Sequence, residues 1–188
     1  MKAKKLLEIV SLAEKLKNTT RHCYTSSGRH ESVAEHSWMM TLIAFFMKDE
    51  FPEADIDKVI KMCIIHDLGE CFIGDIPAFE KSKNQDKLEE DLLFDWLESL
   101  PSEYRLELKE LYTEMIERET IESKIYKAID GIEAVIQHNL SDLSTWTPEE
   151  YDFNLTYAND KVEFSKYMIE LRTLIRNQSI EKINKAKK

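Results

Sequence analysis

Glycine and proline are scarce in this 188-residue chain, at four each, and there are only three cysteines. Few turn formers argue against a β-sandwich or barrel, which needs many tight turns. Leu, Ile, Glu and Lys are abundant instead, and they favour long helices with short links. Cys23, Cys63 and Cys71 are an odd number with no CxxC spacing, so a disulfide framework is not expected. Free thiols in a reducing cytoplasm are the expectation. No long apolar run is present: the longest nearly uncharged stretch, Ser37 to Met47, is too short to span a bilayer. The amphipathic start, with Glu8, Glu14 and Lys15, is no secretory h-region. No membrane association is expected.

Positive charge is also in deficit, with 26 bases against 36 acids and a net charge of −10. A field of that sign repels a nucleic acid polymer. It leaves room for a small phosphorylated substrate, because one metal ion and an arginine can reverse the potential inside a single cleft.

What is present is helical periodicity. Leu6, Leu7, Ile9, Val10, Leu12, Ala13 and Leu16 predict a helix over 3–17, and the polar, turn-prone residues 18–31 predict a loop. Ser32 and Glu35 form a capping box opening a helix to about residue 49, apolar on most sides and so expected to be central. Further helices are expected from Asp55 or Asp57 to about Gly69, and over about 85–99, 103–116, 120–140 and 160–176, with another start at Thr147-Pro148. No repeat or linker interrupts the pattern. The fold class is all-α, a single compact bundle of about seven to nine helices over residues 1–180, with a frayed tail at 181–188. Trp38, Trp96 and Trp146 are assigned to core or interface packing, and His30 and His138 to the surface.

Polar residues then interrupt apolar helices at four places. His66-Asp67 follows the apolar turn Cys63-Ile64-Ile65. Alone, the pair reads as a solvated helix end. His36 alone reads as a core histidine bonded to a carbonyl. Asp130 alone reads as a partner of Lys127 or Lys124, and Glu70 as surface charge. Taken together they supply two imidazoles and two carboxylates, with Glu70 as a further acid on the Asp67 side. Mixed nitrogen and oxygen ligation suits Mn, Fe, Co, Ni or Zn better than Mg or Ca.

This ordered set resembles the HD-domain metal-dependent phosphohydrolases, whose pattern is H…HD…D. It is closest to the subgroup of bacterial 5′-deoxynucleotidases and their eukaryotic relatives. The resemblance is carried by Glu31-Ser32-Val33-Ala34-Glu35-His36, His66-Asp67-Leu68-Gly69-Glu70, Gly74-Asp75-Ile76-Pro77 and Lys127-Ala128-Ile129-Asp130, within about residues 21–140. It implies an HD-domain fold, with His36, His66, Asp67 and Asp130 as ligands to one divalent transition metal. Glu70 would orient or deprotonate the attacking water, with Asp67 beside it. Arg21 would grip phosphate, as a guanidinium fork suits. Asp75 and Pro77 would meet the sugar.

The implied activity is release of phosphate from nucleoside 5′-monophosphates, and the implied assembly a homodimer. One position departs: where the bacterial enzymes carry a tryptophan beside the ribose 2′ position, this chain has His22, whose smaller polar ring leaves room for a 2′-hydroxyl. Arg29 is a solvated loop charge with a second phosphate clamp as its alternative. Competing readings are an alarmone or cyclic-nucleotide hydrolase, whose extra signatures are absent here, and a non-catalytic module holding a structural metal. Structural sites are typically closed and cysteine-rich, which this set is not.

Overall fold

In the computed structural model, which describes residues 1–77 and 82–186, the chain is a helical bundle with one two-stranded ribbon. Helix α1 spans Ala3–Ala13 and runs into a 3₁₀ turn at Glu14–Lys17. Strands β1 (Thr20–Tyr24) and β2 (His30–Ser32) then pair antiparallel with an irregular register. The expected loop over 18–31 is thus a hairpin. Its strands are too short to show alternation in the sequence.

Helix α2 spans Val33–Phe46, opened by the Ser32/Glu35 capping box. Asp55 caps α3 (Ile56–Ile65) by accepting from Lys58 N. The chain turns at His66 and gives one further helical turn, α4 (Glu70–Ile73), in place of a helix continuing to Gly69. Helices α5 (Lys83–Glu98), α6 (Ser102–Glu117), α7 (Ile121–Leu140) and α8 (Pro148–Thr156) follow the expected order. The last expected helix starts later and runs further. A 3₁₀ turn occupies Asp160–Val162, and α9 spans Lys166–Ala186. Most of the tail expected at 181–188 therefore belongs to α9, while Lys187 and Lys188 lie outside the described residues.

Helices α2, α3 and α7 pack on one another pairwise, and α9 and the 3₁₀ turn at 160–162 close over α7. Met40, Ala44, Val59, Met62, Ile125, Ile129, Ile132 and Val135 fill the space between them. Each of the Met, Val and Ile side chains contributes ~1.5–3 kcal/mol of burial, which fixes the three helices against each other. Gly131 lets α7 approach the segment after α8. A Cβ on it would lie 2.6 Å from Ala158 Cβ and 3.1 Å from Lys161 Cδ.

The expectation that α2 is central holds for one side only. Met40 and Ala44 are buried, whereas Trp38 and Phe45 are exposed and Phe46 is 79% exposed. Trp146, by contrast, is core, and Trp96 is half-buried. All three cysteines are free and buried. Among the described residues no helix is long and apolar enough to cross a membrane.

Candidate functional site

The three mutually packed helices each deliver polar groups to one place. His36 lies one turn into α2, His66 caps the C-terminus of α3, Asp67 follows it, and Asp130 sits mid-α7. The His36 and His66 ring centroids are 5.2 Å apart. Asp130 Oδ1 lies 3.4 Å from His36 Nε2, and Asp67 Oδ2 lies 2.9 Å from His66 Nε2.

The tautomer of His66 follows from its other nitrogen. Nδ1 stands 3.0 Å from the Cys63 carbonyl, which can only accept, so Nδ1 carries the hydrogen and Nε2 presents a lone pair. That buried Nε2 has no hydrogen-bond partner among the described residues, despite the nearby carboxylate oxygen. In the neutral ring its lone pair facing a carboxylate oxygen is costly to bury without positive charge, which either a proton or a cation between them can supply. His36 has the same build: its Nδ1 bonds to Glu133 and its Nε2 faces Asp130. Imidazoles oriented by a carbonyl or carboxylate on one nitrogen are the usual form of a metal-binding histidine. The donor set fits a divalent transition ion.

Electrostatics agree. Burial alone would lift the Asp67 carboxyl, but His66 and His36 outweigh it and bring it to about 2. Burial likewise opposes ionisation of Asp130, yet Lys127, His36 and His66 hold it well below the carboxylate range. Asp130 Oδ2 accepts from Lys127 Nζ at 2.7 Å, so the pairing with Lys127 and the approach to His36 both occur, one on each carboxylate oxygen.

Arg21, His22, His36, Asp67, Glu70, Asp75, Pro77 and Asp130 all line one cavity of about 270 Å³. His66 stands behind Asp67 and faces a neighbouring cavity. The volume falls just below the ~300–1,000 Å³ usual for ligand sites, a size that suits a small molecule. Glu70 is buried at the start of α4 with Oε2 lacking a hydrogen bond. Burial first, then Asp67, Asp75 and Glu89, push its carboxyl up to about 10. Gly74, at φ 82°, makes the turn that carries Asp75 and Pro77 to the cavity wall. Arg29 points elsewhere. It is exposed and bonds Glu35 (Nη1 to Oε2, 2.8 Å), as a solvated loop charge.

Sequence reasoning missed two acids. Glu133 and Glu31 are both buried and flank Arg21, with Nη1 3.7 Å from Glu133 Oε2 and Nε 3.8 Å from Glu31 Oε2. Arg21 Nη1 still lacks a hydrogen bond, a spare donor for an anion. Burial, then Glu133, raises Glu31 to about 7, with Arg21 opposing. The available signal was Glu133 three residues after Asp130, a second acid in an apolar helical stripe. His138 also needs correction. It is not a surface residue: it is 3% exposed and lines the same cavity. Its place one turn beyond Ala134 on the cavity face of α7 buries it.

A family model described as "HD domain" matches residues 13–172. The 5′-deoxynucleotidase HDDC2 of Homo sapiens is 30% identical over 139 residues, covering 72% of this chain and 67% of that protein. The 5′-deoxynucleotidase hdd1 of Schizosaccharomyces pombe is 30% identical over 148 residues, covering 73% of this chain and 74% of that one. In fold, the chain is similar to a predicted metal-dependent phosphohydrolase from Magnetospirillum magnetotacticum, with a TM-score of 0.79 at 24% identity, over 94% of this chain and 92% of that one.

Proposed function

We propose, on the premise that the chain belongs to the HD domain family, that it is a metal-dependent phosphohydrolase releasing phosphate from nucleoside 5′-monophosphates, with 2′-deoxyribonucleotides as its main substrates. The observation that carries this is the convergence of His36, His66, Asp67 and Asp130 beside a cavity that also holds Arg21 and Glu70. The names of the two 5′-deoxynucleotidase relatives support the substrate class.

His36 Nε2, His66 Nε2 and the Asp67 and Asp130 carboxylates would hold one ion, Mn, Co, Fe, Ni or Zn rather than Mg. Such an ion, when bound, supplies Lewis acidity to a phosphate oxygen and lowers the pKa of a water. The chain's own groups do the rest. Arg21, clamped between Glu31 and Glu133, offers its unused Nη1 donor to the phosphate and offsets charge growing on the equatorial oxygens. Glu70 faces the same cavity and keeps its proton at neutral pH in the chain alone. Positive charge brought into the cavity draws that carboxyl back towards the ordinary range. It can then align the attacking water and accept its proton.

The water oxygen bonds to phosphorus as the P–O5′ bond breaks; Glu70 takes the water's proton, and O5′ takes one from solvent as it leaves as the nucleoside. Asp75 would accept from a sugar hydroxyl, with Pro77 shaping that wall and His22 near the 2′ position; all three line the cavity. We further read the protein as a cytoplasmic homodimer acting on small nucleotides. Support for self-association is the exposed Trp38, Phe45 and Phe46 face of α2.

The test is phosphate release from a panel of deoxy- and ribonucleoside 5′-monophosphates, using metal-depleted protein given one metal at a time. Activity is expected to return with transition metals, more for deoxynucleotides, and to vanish in His66→Ala. Undiminished turnover in that variant would refute the assignment. Light scattering after size exclusion checks the dimer.

A further inference from the structure

The far end of the same cavity holds a second convergence of nitrogen and oxygen atoms. Asp130, Ala134 and His138 line the cavity from one face of α7. Eight residues at ~1.5 Å each put His138 ~12 Å along the axis from Asp130, a separate place. There His22 Nε2 lies 3.3 Å from His138 Nε2. Glu150 Oε1 lies 3.5 Å from the first nitrogen and 3.7 Å from the second. The three residues come from β1, α7 and α8.

Those separations are too long for a network of good hydrogen bonds, which prefers ~2.7–3.2 Å. They match the edges of a coordination shell, since ligands ~2.1 Å from a tetrahedral ion stand ~3.4 Å apart. The ligand pairs at the Asp130 end measure 2.9 and 3.4 Å. The triad is also held in place from behind. Glu150 Oε2 accepts from Thr147 N at 2.7 Å, which turns Oε1 to the imidazoles. Trp146 packs against the His138 ring and donates Nε1–H to the His138 carbonyl at 2.9 Å. Gln137 Nε2 donates to Tyr24 O at 2.6 Å, tying α7 to the strand that carries His22. His138 and Glu150 are almost fully buried.

We propose that His22, His138 and Glu150 form a second metal site, taking a divalent transition ion such as zinc. Two imidazole nitrogens and one carboxylate oxygen fill three positions, and the fourth opens to the cavity that His22 and His138 line. This second site stands on the geometry at residues 22, 138 and 150, independently of the hydrolytic reading.

The experiment counts metal on the full-length protein. Metal-depleted protein is loaded with zinc, desalted and measured by mass spectrometry, and a parallel cobalt titration follows the visible absorption. Wild type is expected to hold two equivalents. His138→Ala, His22→Ala and His66→Ala are each expected to hold one. Circular dichroism melting accompanies every variant. If His138→Ala does not fold, His22→Ala decides, because its side chain sits on the hairpin and is partly exposed. A metal count that His22→Ala leaves unchanged, whether the wild type holds one equivalent or two, overturns the proposal. A single equivalent lost only in His66→Ala would remove the second site and leave the hydrolase in place.

Discussion

At the Asp130 end of the cavity the histidines stand among several carboxylates; at the His138 end they stand beside an arginine and each other, with Glu150 Oε1 3.5 and 3.7 Å from the two rings. Burial opposes protonation at both ends. At the first, Glu133 and Asp130 overcome burial and Arg21, and His36 rises to about 9. At the second, burial acts first on both rings, followed by Arg21 and His30 on His22 and by His22 and Arg21 on His138, all in one direction, and the two fall to about 4 and about 3. One cavity therefore borders two opposite imidazole environments, His36 from α2 at one end and His22 and His138 from β1 and α7 at the other. The difference lies in which side chains share the pocket, not in exposure, which is low for His36 and His138 alike.

The comparison is broken most forcefully at Arg21, which bears on both ends. Arg21→Ala should lower kcat by ~10²–10³-fold on a deoxynucleotide, the usual loss when a preorganised charge-stabilising donor is removed. An unchanged kcat would place phosphate elsewhere. Next is Glu133→Gln. It leaves His36 in position but weakens its orientation, so transition-metal affinity should fall ~10–100-fold, measured by competition with a chelator. Retained affinity would mean that α2 alone aligns the ring.

A smaller effect separates the two ends by pH in metal-depleted protein. The His36 value is raised, so its stabilisation is fully present below the ordinary 6.5 and lost as pH rises through about 9. The His22 and His138 values are depressed, so their contribution is present above 6.5 and lost as pH falls towards 4 and 3. Melting curves should show His36→Gln flattening the alkaline limb and His138→Gln the acid limb. The reverse assignment would undo the comparison. The smallest effect is expected outside the cavity. Arg29→Ala removes an exposed pair with Glu35 and an exposed bond to the His30 carbonyl, and should leave turnover unchanged.

Much of this was legible in the sequence, and the reasons differ by residue. The helices announce themselves through periodicity and through caps such as Ser32 with Glu35 and Thr147 with Glu150. His36, His66, Asp67 and Asp130 were findable because ordered motifs carry them. Glu133 and Glu31 were not assigned, because their partners are far apart in the chain: Glu133 meets His36 across 97 positions. His138 was misplaced for the same reason, since its burial depends on Trp146 and on the hairpin docking at Tyr24. The hairpin itself was unreadable, because three- and five-residue strands carry too little alternation to separate from a loop. The exposed aromatic face of α2 reversed an inference from composition, because an apolar helix is buried only where something covers it.

The missing side chain at Gly131 has a reach beyond its own position. Any substituent there would collide with Ala158 and press on Lys161, wedging α7 away from the segment after α8. The neighbouring carboxylate rides on that helix, so its aim at the His36 nitrogen would swing with it. A single methyl group, added at a place that touches no ligand, would thus act as a misalignment screw on the reaction centre.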